Sequence, residues 1–306
     1  MTVLERDTLV PDHAETSPWE LLASPAARPA AIGGLTDAAL GEGGRWRRPR
    51  LLAFGGLAEV YEVEDAEGGP SRLLKTSRRD RADVAAEAID HEARHLRAWP
   101  RPGAPRVLDR GRLADGRPWF VMNRAPGAAF SAWIARTGGV PVVDAVLALR
   151  SAARTVGLAH AQGYLHRDLK PGNLVWELGG EVTVIDWGLV CRQVPDAAPP
   201  PRLAGTPGYM APEMLDRRPG AAMPTADVFA LGCTFFDLVW GEMARESRGF
   251  GAPKVELPAQ DAHAHGLAGR MLRHILSRAV HPDPELRLQD GAALAAELDG
   301  WIAAFA

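Results

Sequence analysis

His166-Arg167-Asp168-Leu169-Lys170-Pro171-Gly172-Asn173, followed after twelve intervening residues by Asp186-Trp187-Gly188, is the stretch on which the reading turns. Between the two lie short apolar runs, Leu174 to Trp176 and Val182 to Ile185, on either side of Gly179-Gly180, the pattern of a hairpin. One strand pair therefore carries a carboxylate (Asp168), an ammonium (Lys170), an amide oxygen (Asn173) and a second carboxylate (Asp186). These groups suit phosphoryl transfer: a carboxylate orients a hydroxyl nucleophile, hard oxygen ligands hold Mg²⁺, and an ammonium neutralises phosphoryl oxygens.

Working outward, Val142, Val146, Leu149, Ala153, Val156 and His160 recur at steps of four and three, the stripe of a buried helix leading into the motif. Helical patterns resume at 226–240, 267–279 and 291–304. The upstream half reads differently. Leu51-Leu52-Ala53-Phe54-Gly55-Gly56, then 59–65, a turn at Glu67-Gly68-Gly69-Pro70, and Arg72 to Ser77 predict three short strands. One helical pattern (84–99) and two more strand-like runs, Arg106 to Leu108 and Trp119 to Met122, complete that half. The expected fold class is α+β, a small strand-rich lobe with one helix joined to a larger helical lobe.

Composition limits the function classes. The 306 residues are 46% hydrophobic and 24% charged with net charge −3, a globular balance without the basic excess of a nucleic-acid binder. No run approaches 18 apolar residues, and Met1 to Glu15 lacks the basic and apolar regions of a signal peptide, so no membrane segment and a cytoplasmic location are expected. Cys191 and Cys233 are too few for a thiolate zinc site and are expected to be buried, inert thiols. Residues 1–44 carry seven acids against Arg6 and Arg28, which predicts an acidic, flexible extension. It is either a solvated tail or a docking or autoinhibitory segment anchored by Trp19, Leu21 and Leu22.

Scarcity sharpens the motif. Only Lys75, Lys170 and Lys254 among 35 basic residues are lysine, and Asn123 and Asn173 are the two asparagines. Where arginine would have supplied the charge and lysine stands instead, the compact ammonium is what the site needs.

From about Arg50 to Trp301 the chain resembles the eukaryotic-type, Hanks-type serine/threonine protein kinases found also in bacteria, on the eight-residue run and the Asp-aromatic-Gly quoted above. That resemblance implies a bilobal kinase domain over 45–304, with an N-lobe to about 122, a hinge over 123–127 and a C-lobe from about 128. It implies Asp168 as catalytic base, Lys170 at the γ-phosphate of ATP, and Asn173 with Asp186 as Mg²⁺ ligands. Lysine two residues after the Asp is the serine/threonine form. Lys75, fifteen residues after Val60, has the spacing of the strand lysine that pairs with a helical glutamate on the α- and β-phosphates. The expected partner is Glu92, with Glu87 as competitor. Met122 matches the gatekeeper, and Asn123 to Ala125 the hinge whose backbone bonds adenine; Asn123 reads equally as a hinge-turn residue.

Gly205 to Glu213 matches the end of the activation segment, so Thr206 supports Lys170 and Asp168, Glu213 pairs with Arg287, and Asp227 braces the catalytic loop. The glycine loop departs from the pattern. Ala53, Gly55 and Ala58 stand at the three glycine positions, with Gly56 beside the middle one, which predicts a looser or stiffer lid. Trp187 replaces the usual phenylalanine and either pins the metal-binding triplet or simply fills the core. The segment between Gly188 and Thr206 contains no Ser, Thr or Tyr, and Arg202 occupies the position where relatives take a phosphate. Activation without loop phosphorylation is expected, with proline stiffness and Asp196 in the phosphate's place. The implied partner is a protein substrate bearing Ser or Thr; its identity and the oligomeric state have no signature here. A nucleotide-binding pseudokinase scaffold and a kinase of a small molecule or peptide natural product stand as alternatives.

Overall fold

The computed structural model describes residue 35 and residues 40–98, 102–177, 179–193, 204–218, 221–241 and 255–306. Five antiparallel strands, β1 (Trp46–Phe54), β2 (Ala58–Asp65), β3 (Arg72–Ser77), β4 (Val107–Arg112) and β5 (Pro118–Asn123), form one sheet in the order β1-β2-β3-β5-β4. Helix α1 (Ala82–Ala98) crosses between β3 and β4. Alternation along β3 assigns the faces: Leu73 joins the core on the α1 side, while Leu74 joins a second cluster on the opposite side with Trp46, Tyr61, Val63, Trp119 and Val121. Lys75, two residues from Leu73, therefore shares the α1 side. It lies opposite Val60 on one neighbouring strand and Phe120 on the other.

The second cluster draws in residues that composition assigned to the extension. Leu35 and Leu40 pack on it, the Leu35 N–H donates to the Tyr61 hydroxyl (3.3 Å), and Leu40 bridges to Trp46. The Trp46 indole N–H reaches Asp109 Oδ2 on β4 at 2.7 Å, so the two outermost strands of the sheet are tied together.

The second lobe is helical. It contains α2 (Phe130–Thr137), α3 (Val142–Ala161), α4 (Pro212–Leu215), α5 (Pro224–Trp240), α6 (Gly266–Ala279) and α7 (Gly291–Phe305). Short strand pairs sit on its cleft side: β6 (Ala128–Ala129) beside β8 (Leu174–Trp176) and β9 (Val182–Val184), and β7 (Tyr164–Leu165) beside β10 (Cys191–Arg192). Helices α3 and α5 are buried over most of their surface, as expected of apolar helices at a lobe's centre. Helix α7 starts at Asp290, whose carboxylate accepts from the Ala293 N–H at 2.7 Å. It approaches α3 at Gly157, where a Cβ would lie 2.6 Å from the Ala292 nitrogen, so only glycine admits that contact. Among the described residues no helix is long and apolar enough to cross a membrane.

Candidate active site

The catalytic loop runs from β7 to β8 and is held from below by one carboxylate. Asp227, near the start of α5, accepts from the backbone N–H of His166 (2.7 Å) and of Arg167 (2.8 Å). Its Oδ2 also takes a proton donor from His160 Nε2 at 3.0 Å, while His160 Nδ1 accepts from the Gly291 N–H at 3.0 Å, which fixes the imidazole tautomer. Burial opposes ionisation of Asp227, but His160 and these N–H donors outweigh it and hold the carboxyl below its ordinary value. With its N–H groups captured, Arg167 holds φ 71°, a left-handed conformation uncommon for a residue with a Cβ. His166 is fully buried; loss of solvent pushes its imidazole below the usual histidine value, and Nε2 donates to the Ile185 carbonyl at 3.2 Å.

Above this brace the expected groups meet. Thr206 donates its hydroxyl to Asp168 Oδ1 (2.7 Å) and accepts from Lys170 Nζ (2.8 Å); Lys170 also lies 3.3 Å from Asp168 Oδ2. Asn173 Nδ2 donates to the Asp168 carbonyl (2.7 Å) and to Asp168 Oδ2 (3.0 Å), so the carboxylate is oriented from two sides. Thr206 is placed by Gly205, which has φ 124° and passes so near the Arg167 carbonyl that a Cβ would sit 2.7 Å from it.

Across the cleft, Lys75 donates to Glu92 Oε2 at 2.7 Å and to Asp186 Oδ1 at 2.8 Å. Glu92 is thereby the partner, not Glu87. Burial works against the charge on Lys75, yet Asp186 and Glu92 outweigh it and raise the ammonium above the ordinary lysine value. Burial shifts Glu92 upward, whereas Lys75 brings Asp186 below the usual carboxylate range in spite of its own burial. Glu92 Oε1 also accepts from the Trp187 N–H at 3.2 Å, joining α1 to the Asp186-Trp187-Gly188 triplet. Asp186 sits at φ 61°, a second strained residue in the same cleft.

Mg²⁺ and ATP fit the donor set on chemical grounds. One carboxylate and one amide oxygen, with phosphate oxygens to complete the shell, are the hard ligands Mg²⁺ takes. Asn173 donates its NH₂ to Asp168, and its side-chain oxygen is the atom of the type Mg²⁺ takes. Among the described residues there is no cluster of three or more His, Cys, Asp or Glu able to hold a metal alone.

The roof of the cleft is the β1–β2 turn. Gly55 donates its N–H to the Ala58 carbonyl at 2.8 Å, Ala53 and Ala58 are buried, and Val60 is fully buried below them. Arg78, for which the sequence offered no signal beyond its place after β3, latches this turn. Its guanidinium donates to the Gly55 carbonyl (3.1 Å), its N–H donates to the Leu57 carbonyl (3.0 Å), and it covers the Phe54 ring at 4.1 Å. Met122 lies buried on β5. Asn123 closes the β4–β5 pair, its N–H donating to the Arg106 carbonyl (3.2 Å) and its Oδ1 accepting from the Arg106 N–H (2.6 Å). The turn-residue alternative thus describes its N–H and side chain, and Ala125 follows in the hinge, packed against the core.

Two braces lie farther out. Arg287 is buried and bonds Glu213 through both carboxylate oxygens (2.7 and 3.1 Å), while Trp187 donates its indole N–H to the Val184 carbonyl at 2.9 Å. Cys233 is buried as expected. Cys191 is only half-buried, because β10 runs at the lobe surface, and burial raises its thiol pKa despite Arg167 nearby. Arg202, Asp196 and the stretch 1–34 with Trp19, Leu21 and Leu22 lie outside the described residues. His160 was legible in the sequence only as part of a buried stripe; a polar ring at a buried register was the signal for its second role.

The family model described as protein kinase domain matches residues 46–289. The chain belongs to the protein kinase family. Its kinase domain is similar to serine/threonine-protein kinase PknA of Mycobacterium tuberculosis, 32% identical over 223 residues, 70% of this chain and 50% of the relative. It is similar to PknB of Mycobacterium leprae (26% over 269 residues, 83% and 42%). It is also similar to the DNA damage-responsive kinase RqkA of Deinococcus radiodurans (31% over 206 residues, 65% and 30%). The chain spans half or less of the length of these relatives. The kinase domain has the expected α+β bilobal fold, a sheet with one helix above a helical lobe.

Proposed function

We propose that this kinase domain transfers the γ-phosphoryl group of ATP to Ser or Thr hydroxyls of a protein, in the cytoplasm, with Mg²⁺ held by Asn173 and Asp186. The observation that carries the reading is the joined set of contacts Glu92–Lys75–Asp186 and Asn173–Asp168–Thr206–Lys170 across one cleft. When bound, Mg²⁺ neutralises phosphate charge that would repel the incoming nucleophile. Asp168 orients the acceptor hydroxyl and takes its proton; Lys170 neutralises charge on the transferred group, and Thr206, bonded to both, keeps them aligned. Lys75, positioned by Glu92, binds the α- and β-phosphates.

A protein acceptor fits the surface beside Asp168. The adjoining surface is lined by Asp168, Arg167 and Thr206 together with Met210, Met214, Met223 and Ala226, a mixed polar and apolar face next to the base. The Glu213–Arg287 pair, generally missing from small-molecule phosphotransferases of related fold, argues the same way. The scaffold alternative is not favoured, since every charged position is present and engaged. We further infer that activity needs no loop phosphate, because the segment between Gly188 and Thr206 holds no Ser, Thr or Tyr to carry one.

The test is transfer from labelled ATP with Mg²⁺ to generic protein acceptors, by the full chain and by Asp168→Asn. Transfer to Ser or Thr by the first and not the second is expected. ATP binding without transfer by the intact chain would return the scaffold reading. Mapping an essential phosphate to residues 189–205 would end the phosphate-free part alone.

A further inference from the structure

We propose that Leu35 and residues 40–46 form a strap that positions the nucleotide lid from the outer face of the small lobe, acting through the Tyr61 hydroxyl on the buried Glu59–Arg117 pair. The proposal rests on the ATP reading above for its effect on nucleotide binding.

The strap is fastened by its main chain and by two side chains. Leu40 and Trp46 exchange backbone hydrogen bonds (2.9 and 2.8 Å), which closes a turn over the sheet. The Arg45 guanidinium donates to both carboxylate oxygens of Asp65 (3.0 and 2.7 Å), and the Arg45 carbonyl accepts from the Ala66 N–H at 2.8 Å. Gly41 has φ 83° and runs so near its neighbours that a Cβ would lie 2.8 Å from Asp109 Oδ2 and 2.8 Å from Trp46 Cδ1, so this turn needs glycine.

Tyr61 carries the contact inward. Glu59, Tyr61 and Val63 alternate along β2, so Glu59 extends the apolar outer face toward the lid. The Tyr61 hydroxyl accepts from the Leu35 N–H and donates to Glu59 Oε2 at 2.8 Å. Burial, with Glu59 beside it, pushes this phenol above its ordinary value and keeps the proton on it. Arg117, just before β5, lies 3.5 Å from the same Glu59 oxygen and donates to the Ser77 carbonyl at 2.6 Å. Glu59, Tyr61 and Arg117 are 4%, 2% and 6% exposed.

One peptide unit then reaches the lid. The Ser77 carbonyl held by Arg117 belongs to the same planar group as the Arg78 N–H, which donates to the Leu57 carbonyl at 3.0 Å. On the other side Glu59 directly follows Ala58, whose carbonyl receives the Gly55 N–H. The lid turn is therefore held at two points by partners of one buried ion pair. Such a pair adds little stability over apolar side chains of the same size, whereas its directional bonds fix the groups they join. Unseating the strap removes a donor from Tyr61 and lets water reach the pair, which weakens its attraction.

The full chain is compared with Gly41→Val, which unseats the strap, with Tyr61→Phe, which removes only the hydroxyl, and with the double variant. The readouts are amide hydrogen exchange of residues 53–60 and of α7, and KM for ATP with kcat, all below the unfolding transition of every variant. Each single variant is expected to speed exchange of residues 53–60 and to raise KM for ATP by about three- to fivefold, the worth of one net hydrogen bond, with kcat within about twofold of the parent. The double variant is expected to match the larger single effect, because strap and hydroxyl act in series. Exchange of α7, in the other lobe, stays as in the parent, which a general loss of stability would not allow. Unchanged KM or unchanged lid exchange in Tyr61→Phe overturns the proposal, as do losses that multiply in the double variant. If Gly41→Val does not fold, Leu40→Ala takes its place and must move the same two measures. Should the intact chain fail to bind ATP, the ATP reading falls, and lid exchange in Tyr61→Phe alone decides whether the strap holds the lid.

Discussion

The floor and the roof of the cleft are built by different rules. On the floor, Asp168, Lys170, Asn173 and Thr206 each have at least two polar contacts, and Asp227 fixes the backbone beneath them. Each contact needs a particular charge or donor at a particular place, so no substitute of similar size would do. The roof is a turn whose task is carried by main-chain N–H groups. There two of the three family glycines are alanines, and the turn is latched by one arginine, Arg78. Side-chain chemistry is unforgiving, and backbone chemistry tolerates the smallest side chains.

The largest test of this contrast is on the floor. Asp168→Asn should lower turnover by about a thousandfold or more while thermal unfolding stays within about 2 °C, measured on the same sample. A loss below tenfold would mean that the floor is no more exacting than the roof. Next, Asp227→Ala leaves two buried N–H groups and His160 Nε2 without their acceptor. It should cost about 3–5 kcal/mol in urea unfolding, far more than Arg78→Ala, which removes partly exposed contacts. Equal losses would erase the distinction.

On the roof the expected effects are small. Restoring glycine at Ala53 and Ala58 should lower KM for ATP about two- to fivefold with kcat nearly unchanged, and Arg78→Ala should move KM the other way. A tenfold change in kcat from either would show that the lid takes part in the chemistry. The smallest effect concerns pH. Burial depresses the His166 pKa, so the folded chain keeps the ring neutral where the unfolded chain takes up a proton near pH ~6.5. Stability from this group is complete above that pH and is lost as pH falls, by up to about 1.4 kcal/mol per unit. Denaturant midpoints between pH 7.5 and 5.5 should show the slope, and His166→Asn should flatten it.

The floor was legible because its motif is contiguous and its residue types are rare here. Lys170, one of only three lysines, and Asn173, one of the two asparagines, fall on it. Glu92 was legible as a glutamate of the helical pattern over 84–99 that follows the strand of Lys75. The roles of Arg78, Tyr61 and Arg117 were not, since each depends on neighbours far along the chain: Arg78 on a turn more than twenty residues earlier, Tyr61 on Leu35, and Arg117 on Glu59 and Ser77. Hydrophobic periodicity reports which face of an element is buried but not which distant group it meets. The boundary at residue 45 followed an acidic composition, yet Leu35 and Leu40 pack on the sheet, because two apolar residues suffice to cover a patch without altering the average.

By itself the sequence determined the order of the longer strands and helices, the family and the identities of the charged groups, all of which depend on local pattern and on residue type, whereas the short elements α2, α4, β6, β7 and β10 carried no such pattern. Tertiary structure alone decided that Lys75 bridges Glu92 and Asp186, that Asp227 and His160 share one buried proton link, and that the Tyr61 hydroxyl joins Leu35 to Glu59. Such contacts require segments far apart in the chain to meet, and the energy that selects them arises only when those segments are desolvated together.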